Sequence, residues 1–131
     1  MDTETIHAVL SESQAGRLRF PEVVGRLVNA GVESYFVDFA RGEKTIYTTN
    51  GESRTEAMVL PMKPIAQNFS SEGIVAAIRG AQADTIRYPE FVERSAAAGV
   101  IAYWVFLTGK KVVYFGRKGE VHTEEFPKVK S

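Results

Sequence analysis

Residues 14–39 and 82–107 align without a gap and agree at 12 of 26 positions. Gln14, Ala15, Arg19, Pro21, Glu22, Val24, Arg26, Ala30, Gly31, Val32, Tyr35 and Val37 recur 68 residues later as Gln82, Ala83, Arg87, Pro89, Glu90, Val92, Arg94, Ala98, Gly99, Val100, Tyr103 and Val105. Unrelated segments of this length would agree at roughly one or two positions, so the match reads as an internal duplication. The period is longer than a solenoid repeat and there are two copies. The chain is therefore expected to build one supersecondary unit twice and to relate the halves by a pseudo-two-fold axis.

The unit can be read from its punctuation. Thr3 and Ser71 are placed as helix N-caps, each followed by a glutamate in the first turn, where the helix dipole favours negative charge. Ile6, Val9 and Leu10 share one helical face, as do Ile74, Ala77 and Ile78. Gly16 and Asp84 end these helices. A second helix opens at Pro21 and at Pro89, because proline suits the first turn, where its missing N–H is not needed. Phe20, Val24 and Leu27 form its apolar stripe. Tyr88 and Val92 follow in the second copy, with Ser95 in place of Leu27. Gly31 and Gly99 close the helices as left-handed caps. Three strands follow in each half: Glu33–Phe39, Lys44–Thr49 and Ser53–Val59, then Ile101–Leu107, Lys111–Phe115 and Val121–Phe126. Turns fall at Arg41-Gly42 and Thr108-Gly109, and Asn50-Gly51 predicts a type I′ hairpin turn with Lys118-Gly119 as its counterpart.

The expected fold is α+β. Two helix–helix–three-stranded-meander repeats, residues 3–59 and 71–126, form a single domain over 1–131, with the helices packed on a largely antiparallel sheet. A proline-containing connector, residues 60–70, joins them. The chain's 131 residues, 44% hydrophobic and 24% charged, suit one globular domain. The absence of cysteine excludes disulfide frameworks, zinc–thiolate sites and thiol catalysis. No stretch approaches the roughly 18 apolar residues of a membrane helix. Met1-Asp2-Thr3-Glu4 is unlike the start of a secretory leader, so a soluble cytoplasmic protein is expected. Sixteen basic and 16 acidic residues give zero net charge, which is not the electrostatic footprint of a nucleic-acid binder.

Phe-Pro-Glu, Ala-Gly-Val-Glu-Ser-Tyr, Asn-Gly-Glu and Ser-Ser-Glu-Gly-Ile are followed by Tyr-Pro-Glu-Phe, Ala-Ala-Gly-Val and Tyr-Phe-Gly-Arg-Lys-Gly. In this order the motifs resemble a bacterial family of unknown function, the YbcV-like proteins (domain of unknown function 1398). The resemblance covers nearly the whole chain. It implies no activity and carries over no catalytic residues. Members are often labelled phage envelope proteins; no membrane segment, coiled-coil or fibrous pattern here supports that label.

Where the copies differ, function has room to diverge. Side chains alternate along a strand, so Tyr35 and Val37 oppose Phe36 and Asp38, and Tyr103 and Val105 oppose Trp104 and Phe106. The second copy is apolar on both faces, and Trp104 and Phe106 call for cover by the connector, a second subunit or a ligand. Asp38 aligns with Phe106 as a carboxylate beside an aromatic wall, or as a solvated strand residue. Glu22–Arg26 and Glu90–Arg94 have the spacing of i,i+4 ion pairs. Arg19 and Arg87 are candidates for a symmetric anion site near two helix N-termini. His122 and Glu124 share a strand face, but two ligands make no metal site, and neither metal nor other cofactor is expected. The first functional reading is a non-enzymatic binding or interaction module, homodimeric through Trp104 and Phe106. The alternative is a small-molecule enzyme or ligand-binding protein, with Tyr35, Tyr103, Asp38 and an arginine in a cleft between the repeats, taking a small apolar or aromatic ligand.

Overall fold

The computed structural model describes residues 1–58, 60 and 63–127. Val59, the expected end of a strand, and Pro61 and Met62 of the connector lie outside the described residues. Four helices and six strands are found among the described residues: α1 (Thr3–Gln14), α2 (Phe20–Asn29), β1 (Val32–Asp38), β2 (Glu43–Thr48), β3 (Ser53–Ala57), α3 (Ser71–Gln82), α4 (Tyr88–Ala97), β4 (Val100–Phe106), β5 (Lys111–Gly116) and β6 (Val121–Glu125). The order is helix–helix–meander, twice, as the sequence predicts.

All pairings are antiparallel and form one six-stranded sheet, β3-β2-β1-β4-β5-β6. The order follows from strand composition. β1, β2, β4 and β5, each with buried apolar residues, fill the interior, with β1 and β4 at the centre. β3 (SRTEA) and β6 (VHTEE) are polar and take the edges, where charged side chains discourage pairing with another chain. The halves meet in the register Phe36↔Trp104, Tyr35↔Val105 and Val37↔Tyr103. Phe36 and Trp104 are themselves 68 positions apart, so the pseudo-two-fold axis passes between them.

The four helices cover one face of the sheet. Ile6, Leu10, Leu27, Val37, Ile46, Ile74, Val92, Val100 and Val105 are fully buried there. Each contributes about 1.5–3 kcal/mol of transfer free energy. The backbone repeats as closely as the core does. Among the described residues, eight have positive φ, and they form four pairs at the 68-residue offset: Gly16/Asp84, Gly31/Gly99, Gly42/Lys110 and Gly51/Gly119.

Several local expectations are corrected. The N-caps are Asp2 and Ser70, one residue earlier than placed. Their side chains accept from Thr5 N at 3.1 Å and Gly73 N at 3.0 Å. Val23, rather than Val24, is the deeply buried residue beside Leu27 in α2. The β4–β5 turn, expected at Thr108-Gly109, has its left-handed residue one position later, at Lys110. A type I′ turn requires positive φ at both central residues, and of Asn50 and Gly51 only Gly51 has it. Gly51 N instead donates to Thr48 O at 3.1 Å, in a longer loop with a single left-handed glycine. Arg94 pairs with Glu90 as expected, Nε–Oε2 2.8 Å. Glu22 does not pair with Arg26 among the described residues; its carboxylate accepts from Arg19 N at 3.0 Å and caps its own helix.

Candidate functional site

The predicted site residues divide between the two faces of the sheet. Trp104, Phe106, Phe36 and Tyr47 lie on the face without helices. Trp104 meets Phe36 edge-on at 5.1 Å between ring centroids and stacks with Tyr47 at 5.7 Å and Phe106 at 5.3 Å. These rings are half-buried, mostly by one another. A shallow depression beside them is lined by Glu33, Ser34, Tyr47, Thr108 and Gly109. The described part of the connector docks elsewhere: Ala66 N and Ser70 N bond the carbonyls of Ala96 and Ala98, and Arg117 reaches the carbonyls of Ile65 and Ala66. Asp38 does not face a reacting group; its Oδ1 accepts from Arg41 N at 3.1 Å and shapes the β1–β2 turn.

Tyr35 and Tyr103 lie on the opposite face, beneath the helices, and line a recess of about 350 Å³. That volume is at the lower end for small-molecule sites. Its floor is the centre of the sheet, with Tyr35, Lys44, Tyr103, Val112 and Tyr114. Leu10 and Phe20 close it from the first repeat, and Ile78, Tyr88 and Phe91 from the second. Arg19 and Arg87 also line it, and they converge as expected of an equivalent pair. Their convergence point already holds a carboxylate: Asp84 lies 3.1 Å from Arg87 and 3.7 Å from Arg19.

Lys44, which was not singled out in the sequence, is the residue that distinguishes this cavity. It is 3% exposed. Its register partner is Val37, and Val112 holds the same place opposite Val105 in the second repeat. The pseudo-equivalent of this buried lysine is thus a valine. No ion pair to Lys44 is present among the described residues; its Nζ lies 4.2 Å from the centroid of the Tyr88 ring, a cation–π contact. Burial pulls its pKa down to about 7, and Glu56, its neighbour on β3, opposes the shift. The only sequence signal was its strand parity: Lys44 shares a face with Ile46, two positions after Gly42 of an exposed-looking turn.

Tyrosines surround it. Tyr88 and Tyr103 hydroxyls are 2.6 Å apart. Burial raises the pKa of Tyr35 and Tyr103 well above the ordinary phenol value, with like-charge interactions among the tyrosines adding to it; Tyr88 and Tyr114 are raised mainly by burial. All four therefore remain protonated at neutral pH and can donate hydrogen bonds. Glu124, at the far wall, is committed: Arg79 bonds it at 3.0 Å and His122 lies 3.5 Å away. Burial would raise its carboxyl pKa, but these two neighbours outweigh burial and hold it low. No helix of the described residues is long and apolar enough to cross a membrane.

No curated protein matches the chain. A family model described as "protein of unknown function (DUF1398)" matches residues 10–125, which takes in most of both repeats and every residue of the cavity lining except Phe126 and Pro127. The chain belongs to this family of proteins of unknown function.

Proposed function

We propose that the protein binds a small, largely apolar molecule in the cavity between its repeats. One observation carries this reading: a lysine is buried without an ion pair among the described residues, opens onto the cavity, and stands where the other repeat has valine. Burying a charge-bearing group costs stability unless something offsets it. The fold does not need it, because Val112 fills the equivalent place. A ligand gives the lysine its use. The role is binding rather than catalysis, with Tyr35 and Tyr103 as floor residues and Arg19 and Arg87 holding Asp84 at the rim. Amide and tyrosine-ring NMR spectra recorded with a mixture of small apolar fragments test it. Shifts centred on Tyr35, Tyr88, Tyr103 and Tyr114 support the cavity. Shifts centred on Trp104 and Phe106, with the tyrosines unmoved, would move the site to the other face and end this reading.

A second reading, a homodimer through the open face, is favoured by the four clustered rings there and by Trp104 Nε1, which is buried without a hydrogen-bond partner among the described residues. Light scattering on the intact protein and on Trp104→Ala decides it. A dimer that becomes a monomer supports it; a monomeric parent protein rules it out.

A further inference from the structure

We infer that the molecule taken by this cavity carries a single carboxylate on its apolar body, seated on the Lys44 ammonium and the Tyr35 and Tyr114 hydroxyls. This rests on the cavity being a ligand site, and it goes further by assigning the ligand's chemistry. The first ground is the donor inventory. Neither Tyr35 nor Tyr114 has a hydrogen-bond partner among the described residues, nor does Lys44, whose Nζ rests on the Tyr88 ring and feels the charge of Glu56. All three are at least 95% buried, with exposures of 4%, 5% and 3%. They are not sealed off, however: the buried, unpartnered side-chain polar atoms of the described residues are Ser95 Oγ, Trp104 Nε1 and His122 Nε2. The ammonium and the two phenols therefore open onto the cavity they line.

The second ground is convergence. Tyr88 lies under the Lys44 ammonium and interacts electrostatically with both Tyr35 and Tyr114. All three open donors line the one recess that Tyr88 also walls. A lysine offers only donors, and a protonated phenol donates most strongly to an anion. The nearby acceptors are already engaged, Asp84 by Arg19 and Arg87 and Glu124 by Arg79. A cationic ligand would meet the lysine, and the one carboxylate of the lining not engaged among the described residues, Glu125, is exposed to solvent. A neutral ligand would leave the ammonium only Glu56 as counter-charge, and that carboxylate already pairs with His7 and Arg54.

The third ground is charge. One lysine balances one negative charge. A phosphate monoester, close to doubly charged at neutral pH, would leave an uncompensated charge in an apolar recess. The two arginines are held by Asp84 and would have to be released to help. A monocarboxylate with an aryl or alkyl body matches both the charge and the walls, which include Leu10, Ile78, Phe91, Val105 and Val112.

The test is calorimetric titration of the full chain at pH 7 with paired probes of equal shape: 4-phenylbutyrate against 4-phenylbutanamide, and octanoate against octanamide. The acids should bind about tenfold or more tightly than the amides, the effect of one charge-assisted contact. Lys44→Met, checked as folded by circular dichroism, should bring acid and amide to within about twofold. Equal affinities in the parent protein would overturn the carboxylate assignment and leave the cavity reading standing. Failure of all four probes to bind would overturn both. Acid preference that survives in Lys44→Met would move the anion to the arginines and overturn the role given to Lys44.

Discussion

Lys44 and Val112 occupy the same place in the two repeats: each lies on the second strand of its meander, opposite Val37 and Val105 respectively. One side chain is an amine and the other a branched hydrocarbon, in a sheet whose backbone otherwise repeats at every left-handed position. The pseudo-symmetry supplies its own control, because the valine shows what the scaffold alone accepts there.

Stability should therefore depend on pH in a direction set by Lys44. Its pKa falls from 10.5 in the unfolded chain to about 7 in the fold. Between these values the unfolded chain binds more protons, so stability rises with pH, by up to about 1.4 kcal/mol per pH unit. Below pH 7 both states are protonated and the contribution is flat. The titratable and charged groups facing Lys44 are Glu56 on β3 and Tyr88 on α4, with Tyr35, Tyr103, Tyr114 and Glu124 across the cavity and Arg19, Arg87 and Asp84 at its rim. Urea denaturation at pH 6.5, 7.5, 8.5 and 9.5 should show the rise in the parent protein. Lys44→Met should lack it and be more stable at pH 7. Parallel curves for the two proteins would refute this assignment.

The tyrosine cluster should set the alkaline limit. Tyr35 and Tyr103 have folded pKa values well above 10. The unfolded chain therefore loses protons first, and the stability held below pH 10 is lost as pH rises beyond it. In a spectrophotometric titration, phenolate absorbance from these residues should appear together with loss of near-ultraviolet circular dichroism. Ionisation of all five tyrosines near pH 10 with the fold intact would contradict the burial described.

Ser95 offers a cleaner measurement of an unpaired group. It is fully buried, and its Oγ has no hydrogen-bond partner among the described residues; its counterpart in the first repeat is Leu27, also fully buried. Ser95→Ala should raise stability by about 1 kcal/mol, because it removes a buried hydroxyl and only one atom's volume. A loss of stability would mean that the hydroxyl is bonded in solution.

Gly31 and Gly99 close equivalent helices with φ of 86° and 83°. A Cβ on Gly31 would meet nothing within 4 Å, whereas one on Gly99 would lie 2.4 Å from the Asn68 carbonyl oxygen. Gly31→Ala should cost about 1–2 kcal/mol, the strain of a left-handed L-residue. Gly99→Ala should cost clearly more, since the backbone before α3 must move as well. Thermal melts of the two variants compare them directly, and equal losses would show that Asn68 gives way freely.

Much of the fold could be read from the chain. Pro21 and Pro89 mark helix starts, Gly31 and Gly99 mark their ends, and the alternation Tyr35-Phe36-Val37 and Tyr103-Trp104-Val105 marks strands with two distinct faces. The site was less legible. Tyr35, Tyr103, Arg19 and Arg87, all candidates, do line the cavity, but Trp104 and Phe106 lie on the other face and Asp38 ends β1, bonded to the turn that follows. Lys44 drew no attention, because a lysine beside a turn looks solvated until its neighbours are known.

Local chemistry in the sequence determined the repeat, the elements and the parity of each strand, since periodicity and turn residues act over a few positions. Tertiary structure decided that β1 and β4 pair across the axis at Phe36 and Trp104, and that the helices cover the tyrosine face. Those choices depend on which apolar surfaces bury one another across 68 residues of chain. Only they determine that Lys44 is inside.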